Sequence, residues 1–240
     1  MHIQFLGTGG AFDYQLGNSA AWIEFRGHRI LLDCGSTVYP RLRETGLIHE
    51  IDYILITHCH DDHVGTLSTL LLHHAYNRPV PNKPIILAPT LSFRNHLYQL
   101  LSFSIPVPED FVKFAPIYEL RGLEAIDTFG LHVPGMPTFG FCFEDEDEIV
   151  IYSGDLGDSR PVFDLAARKR RHGKPIRIFH EMSFEETNGV HTHYKELEKQ
   201  LDTYNIFAYH LDPADTPANN RVPLVIDQPD LLWHPDSTTL

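Results

Sequence analysis

The sequence predicts an α/β protein in which two sheets pack on each other and helices cover the outside. Three observations lead there. Apolar runs of strand length alternate with helix-patterned stretches along the chain. The second half repeats the style of the first, with no linker or low-complexity segment between them. Six of these runs end in a histidine or an acid, which places ligand-type side chains at sheet edges.

HIQFLGTGG, from His2 to Gly10, reads as a strand running into a glycine turn. AAWIEFRGHRILLDCG reads as a hairpin: Ala21, Ile23 and Phe25 alternate with Trp22, Glu24 and Arg26, and Arg26-Gly27-His28 turns into an apolar return strand. YPRLRETGLIHEI is a short helix ended by Gly46. DYILITH is a buried strand, and VGTLSTLLLHHAYN a helix entered through a histidine-rich loop. KPIILAP is a strand, Ser92 to Phe103 a helix, and Pro106 and Pro108 break the chain after it. AIDTFGLHV is a strand reaching His132, and FGFCFEDEDEIVIYSGD a hairpin turning on the acidic run Glu144 to Glu148. A helix near Val162 to Arg171 leads to the strand PIRIFHE, and one near Lys195 to Thr203 leads to NIFAYHL. Residues 1–211 are thus expected to form one domain. From Asp212 the composition shifts to proline, aspartate and asparagine, and Leu231, Leu232 and Trp233 predict that this tail, 212–240, docks on the domain or a partner.

A chain of 240 residues can bury a full core. No apolar run is long enough to cross a bilayer, and MHIQFLGTGG has neither the basic flank nor the apolar stretch of a signal peptide, so a cytoplasmic protein is expected. Cys34, Cys59 and Cys142 are widely spaced and odd in number, which argues against a disulfide framework. A net charge of −13 repels polyanions at long range. The basic run RKRRHGK, from Arg168 to Lys174, reads as a solvated helix end.

The six strand ends carry Asp33, His58, His132, Asp155, His180 with Glu181, and His210. One such ending is unremarkable, but six in register point to a shared site. In LITHCHDDHVG, His58, His60 and His63 can turn toward different ions, and imidazole with carboxylate suits zinc, with manganese or iron as alternatives.

THCHDDHVG matches the H-x-H-x-D-H signature of the metallo-β-lactamase superfamily. FLGTGGAF, ILLDCG, HVPGMPTFGF, YSGD and YHL resemble that superfamily's other blocks, in order along most of the chain. HVPGMPTFGF, FHEMSF and VHTHYKEL further resemble the ribonuclease Z-type phosphodiesterase branch. The resemblance implies a four-layer αββα sandwich with two divalent metal ions. It assigns His58, His60 and His132 to one ion, Asp62, His63 and His210 to the other, and Asp155 to both. Asp33 would stand behind the ligands and fix an imidazole tautomer. Asp61 and Cys59 occupy variable positions, and Cys59 reads as a bystander facing the core.

The same resemblance implies hydrolysis of a phosphodiester. Paired cations make hydroxide available at neutral pH and offset charge on the phosphoryl oxygens. Asp62 would orient the nucleophile and take up its proton. His191, oriented by Glu181, would protonate the leaving alkoxide, with His193 as the alternative because HTH leaves the register open. Thr192 or Thr187 could cap the following helix.

Ribonuclease Z enzymes that mature transfer RNA carry a long basic arm ahead of the SGD block. Here only CFEDEDEIVIY separates Phe141 from Ser153. The expected substrate is therefore a small phosphodiester such as a cyclic nucleotide or short nucleotide fragment, and nucleic acid is disfavoured by charge as well. A ribonuclease Z-type endoribonuclease, or a thioesterase or lactonase on the same fold, are the alternatives. Phe12, Tyr14, Phe139 or Phe141 could stack on a base, though packing in the core or a loop is the simpler role for each. No membrane partner is expected, and a homodimer is expected by resemblance alone.

Overall fold

Strand alternation builds two sheets from the two halves of the chain. The computed structural model describes residues 1–77, 82–185 and 189–233. In the first sheet β1 (His2–Gly7), β2 (Ala20–Phe25), β3 (His28–Leu32), β4 (Tyr53–Leu55), β5 (Ile85–Ala88) and β6 (Lys113–Pro116) lie side by side in that order. β1 to β3 pair antiparallel and β3 to β6 parallel. In the second, β7 (Leu123–Asp127), β8 (Phe139–Glu144) and β9 (Ile149–Tyr152) pair antiparallel, and β9, β10 (Ile176–Glu181) and β11 (Asn205–Tyr209) parallel.

Side-chain parity sets the layers. Along β9, Val150 and Tyr152 join the core between the sheets, while Ile149 and Ile151 join the core beneath α5 (Arg160–Lys169) and α6 (Tyr194–Glu198). In β8, Phe139, Phe141 and Phe143 point inward and Cys142 outward. On the first sheet, α1 (Val38–Thr45) packs near β1 and α4 (Leu91–Ser102) near β5, burying Leu42, Phe93 and Leu97. The result is the expected helix–sheet–sheet–helix stack, the metallo-β-lactamase fold. Arg26 and Gly27 have φ of 52° and 78°, the left-handed pair of the tight two-residue turn expected between β2 and β3. No helix among the described residues is long and apolar enough to cross a membrane.

Four details differ from expectation. β6 is an additional strand, four residues long and ending in proline, with too short a pattern to mark it in the sequence. The histidine-rich loop contains one helical turn, α2 (Asp61–Val64), before α3 (Leu67–Asn77). α6 ends at Glu198 rather than near Thr203. The strand expected to run to His132 stops at Asp127, where Thr128 turns the chain and its N–H donates to Thr138 O (3.0 Å). His132 therefore sits on a loop.

The tail covers one edge of each sheet. Ala208 N–H in β11 donates to Pro223 O (2.8 Å), and Trp233 N–H donates to Phe5 O in β1 (3.0 Å). Both are edge strands, which would otherwise expose unpaired backbone. Residues 234–240 lie outside the described residues. Part of the basic run folds back on the acidic hairpin, with Lys169 and Lys174 each donating to Glu144 at 3.1 Å.

Candidate metal centre

Parallel strands bring their C-terminal ends to one edge, and the chain leaves that edge through residues able to ligate. The donors there group as His58, His60 and His132, and as Asp62, His63, Asp155 and His210, with His191 completing two further overlapping groups, one with His132 and Asp155 and one with Glu181 and His210. All seven residues proposed as ligands from sequence are thus brought together. Asp155 Oδ2 reaches both clusters, lying 4.0 Å from His58 Nε2, 3.5 Å from His63 Nε2 and 3.4 Å from His210 Nε2. Asp62 Oδ2 is 3.2 Å from His63 Nε2 and 3.1 Å from His210 Nε2.

Hydrogen bonds behind the rings decide which nitrogen each presents. A backbone carbonyl can only accept, so His132 donates Nδ1–H to Val190 O (2.8 Å) and turns Nε2 inward. His63 donates Nδ1–H to Asp33 Oδ2 (2.9 Å). Thr57 gives its hydroxyl proton to Asp33 (2.9 Å) and accepts from His58 Nδ1–H (3.0 Å). His58 and His132 therefore point bare Nε2 atoms at His60 Nδ1, at 2.9 and 3.2 Å. A tetrahedral ion held at about 2.0–2.1 Å would space its donors by roughly 3.3 Å, so a cation fits this cluster and satisfies all three nitrogens. In the second cluster, buried Asp155 Oδ1 has no hydrogen-bond partner among the described residues. Both observations fit divalent metal ions.

Charge agrees. Burial would depress the His63 imidazolium, but Asp155 and Asp33 outweigh it and hold its pKa well above the ordinary range. Burial would likewise raise Asp155, yet His210 and His63 hold it well below. Burial dominates at His58 and, with the charge of His63, pulls it well down. The carboxylates thus favour the protonated form of His63, and a bound cation would take the place of that proton. Cys59 is pushed up to about 11 by burial, so it offers no thiolate at neutral pH. Asp61 is exposed and outside both clusters.

Backbone strain marks the same edge. Asp33 and His210 both adopt φ of 63°, where side-chain-bearing residues are uncommon. Gly35 allows the loop after β3 to meet the α2 turn: a Cβ there would lie 1.9 Å from Asp62 O. Gly35→Ala is expected to lower thermal stability by about 1–3 kcal/mol, read as a Tm drop of several degrees in a melt of the metal-free protein. Asp33→Asn keeps the shape but loses the anion behind His63. We expect metal affinity to fall about 10–100-fold, read by competition with a chelator.

His191 lies beside both clusters, its ring 5.2 Å from that of His132 and 5.3 Å from that of His210. Its Nδ1–H donates to Glu181 Oε2 (2.9 Å), and Glu181 Oε1 accepts from Thr192 N–H (2.7 Å). Burial lowers His191, but the hydrogen bond and charge of Glu181 prevail and lift it to about 9. His193 instead occupies the N-cap position of α6 and contacts Tyr194. Thr192 does not cap that helix: its hydroxyl donates to Leu156 O (2.8 Å). Thr187 lies outside the described residues.

His180 is a second correction. Alternation along β10 turns Glu181 to the site and His180 to the outer core, where its ring stacks on Phe163 at 5.9 Å and burial pulls it down to about 4. Thr57 and the Val190 carbonyl, which orient the rings of His58 and His132, carry no signal in the sequence beyond their neighbours.

Of these groups, His191 and His210 line a cleft of 1190 Å³ together with the loop 10–16, the segment 182–185 and residues 211–215. A model of the family described as Anti-Pycsar protein Apyc1 matches residues 1–222. The chain belongs to the Anti-Pycsar Apyc1 family. An Anti-Pycsar protein Apyc1 of Paenibacillus harenae is 32% identical over 212 residues, covering 82% of this chain and 83% of that one. The Apyc1 match takes in every residue of both donor clusters, with Glu181 and His191. In fold, the chain is similar to human tRNase Z, short form (ELAC1), with TM-score 0.64, 19% identity, and coverage of 88% of this chain and 92% of that one. It is also similar to a diphosphatase of the PhnP family, with TM-score 0.66, 16% identity, and coverage of 92% and 93%.

Proposed function

We propose that this protein is a dinuclear metal-dependent phosphodiesterase acting on a small phosphodiester of the cyclic-nucleotide class. The observation that carries this reading is two adjacent donor clusters, with Asp155 of the second 4.0 Å from His58 of the first and the Glu181–His191 pair beside them at a cleft that His191 and His210 line. The mixed imidazole and carboxylate set suits zinc, with manganese or iron as alternatives.

Bound at the two clusters, the ions would supply hydroxide at neutral pH and offset charge on the phosphoryl oxygens. The chain's own groups do the rest. Asp62, fixed between His63 and His210, orients the nucleophile and takes up its proton. His191 commits Nδ1 to Glu181, so Nε2 is the atom from which it can protonate a departing alkoxide. An alkoxide needs that proton far more than a thiolate does, which favours a phosphodiester over a thioester.

Size and charge narrow the substrate. β8 and β9 are joined by residues 145–148 alone, which leaves no arm for a transfer RNA. Asp13, Glu185, Asp212 and Asp215 line the cleft, and no lysine or arginine does so among the described residues. A monoanion tolerates that rim, and a polyanion is repelled by it. The same reading includes a homodimer, which sedimentation would detect.

The test follows zinc- or manganese-loaded protein by phosphorus NMR with a panel of 3′,5′-cyclic nucleotides, an unprocessed transfer RNA and an acyl thioester. Conversion of cyclic nucleotides to monophosphates, with the RNA intact, is the expected result. RNA cleavage alone would make this an endoribonuclease, and thioester turnover alone a thioesterase.

A further inference from the structure

We infer that the loop Gly10–Leu16 is an aromatic flap that binds the nucleotide base, with Phe12 as its stacking surface and Tyr14 as a second ring on the same loop. The inference rests on the phosphodiesterase reading and adds a specificity element to that site.

The four aromatics that could stack on a base fall into two classes. Phe139 and Phe141 are 4% and 0% exposed within the core between the sheets, where no ligand reaches them. Phe12 and Tyr14 are 92% and 74% exposed, on a loop that lines the cleft together with His191 and His210. An isolated phenylalanine in water is ordinary, but this one stands at the lip of the cleft that holds the candidate chemistry.

The loop is built to present these rings. Its root is closed by Gly9 N–H donating to Gly17 O (2.8 Å) and Ser19 N–H donating to Gly9 O (3.2 Å). Asn18 Nδ2 donates to Gly10 O and Ala11 O, both at 3.3 Å. Asp13 Oδ1 accepts from Gln15 N–H and Leu16 N–H, both at 2.9 Å, which ties up the loop's carboxylate. A Cβ at Gly10 would lie 3.7 Å from His210 O, so the loop leaves its root directly against a candidate metal ligand. With both ends pinned and the Asp13 carboxylate held by the loop's own backbone, the large apolar surface the loop offers outward is the two rings.

Charge explains why a ring is needed. The described lining of the cleft holds four carboxylates and no lysine or arginine. Beyond the ions and the Glu181-paired His191, then, no lysine or arginine in that described lining attracts a nucleotide. Stacking on a base is insensitive to the acidic rim, because it uses the uncharged face of the base. It acts equally on substrate and transition state, so it lowers KM without raising kcat.

The experiment compares Phe12→Ala and Phe12→Trp with the wild type, all zinc-loaded, on a 3′,5′-cyclic nucleotide and on base-free ribose 3′,5′-cyclic phosphate. Equilibrium binding of a cyclic nucleotide phosphorothioate is measured alongside, with sedimentation of each protein. For Phe12→Ala we expect KM and Kd for the nucleotide to rise about tenfold with kcat held within about twofold. The base-free diester should be unaffected, and Phe12→Trp should restore binding. Equal losses on both diesters, or no change on either, would overturn the flap. A Phe12→Ala protein that changes from dimer to monomer with KM and Kd unmoved would overturn it too and assign Phe12 to a subunit interface. A wild type inert toward every cyclic nucleotide removes the phosphodiesterase reading and the flap with it. An active wild type with an indifferent Phe12→Ala removes the flap alone.

Discussion

Asp155→Asn is expected to lower kcat by at least about a thousandfold, because several kcal/mol of charge stabilisation depend on the ions and each 1.36 kcal/mol is tenfold in rate. Among the described residues, Asp155 is the one carboxylate within reach of His58, His63 and His210 together. The amide has nearly the same shape but no charge to hold two cations near each other. Metal content should fall from two ions per chain to one or fewer, read by elemental analysis after gel filtration. The fold should survive, because the buried groups that need Asp155 are those of the site. The metal-free variant should melt close to the metal-free wild type. Unchanged turnover with two ions retained would mean that Asp155 does not join the clusters.

The second large effect belongs to His191 and Glu181. His191→Ala should reduce kcat on alkoxide-leaving substrates by about 10²–10⁴-fold, the range for a removed general acid. Substrates with a p-nitrophenolate leaving group should lose much less, since that group departs without a proton. Glu181→Gln gives the pH signature. Glu181 is what lifts the His191 pKa to about 9 against the effect of burial. A raised histidine pKa means that protonated His191 prevails below the limb, and activity falls as pH rises through it. Replacing the carboxylate by an amide should move that alkaline limb to lower pH. Bound cations push the limb down in wild type and variant alike, so the difference between the two profiles is the readout. The same pair bears on stability. Its contribution is fully present below the ordinary histidine pKa of 6.5 and is lost as pH rises through about 9.

Much of the site was legible because it is written in local patterns. His58, His60, Asp62 and His63 fall within six residues, His210 directly follows β11, and Asp155 comes three residues after β9. Strand parity explains the pair His180 and Glu181, where adjacent residues necessarily face opposite layers. The sequence shows two ligand-type side chains there, and only the register of β10 against β9 and β11 decides which one enters. His132 was legible as a residue but not in its placement. Its loop is shaped by the Thr128–Thr138 hydrogen bonds and by Val190, which is 58 residues away. Thr57 and Gly35 act through contacts with Asp33 and Asp62 that exist only once β3 and β4 are paired. Within the described part of the tail, Leu231, Leu232 and Trp233 pack against the core between the sheets. The tail's partners Phe5 and Ala208 follow from which strands end up at the sheet edges.

The most direct test of the two-cation centre is anomalous diffraction from crystals of the zinc-loaded protein. Two peaks about 3.5–4 Å apart are expected, one among His58, His60 and His132 and one among Asp62, His63 and His210, with Asp155 between them. A single peak, or ions bound elsewhere with both clusters empty, would contradict it.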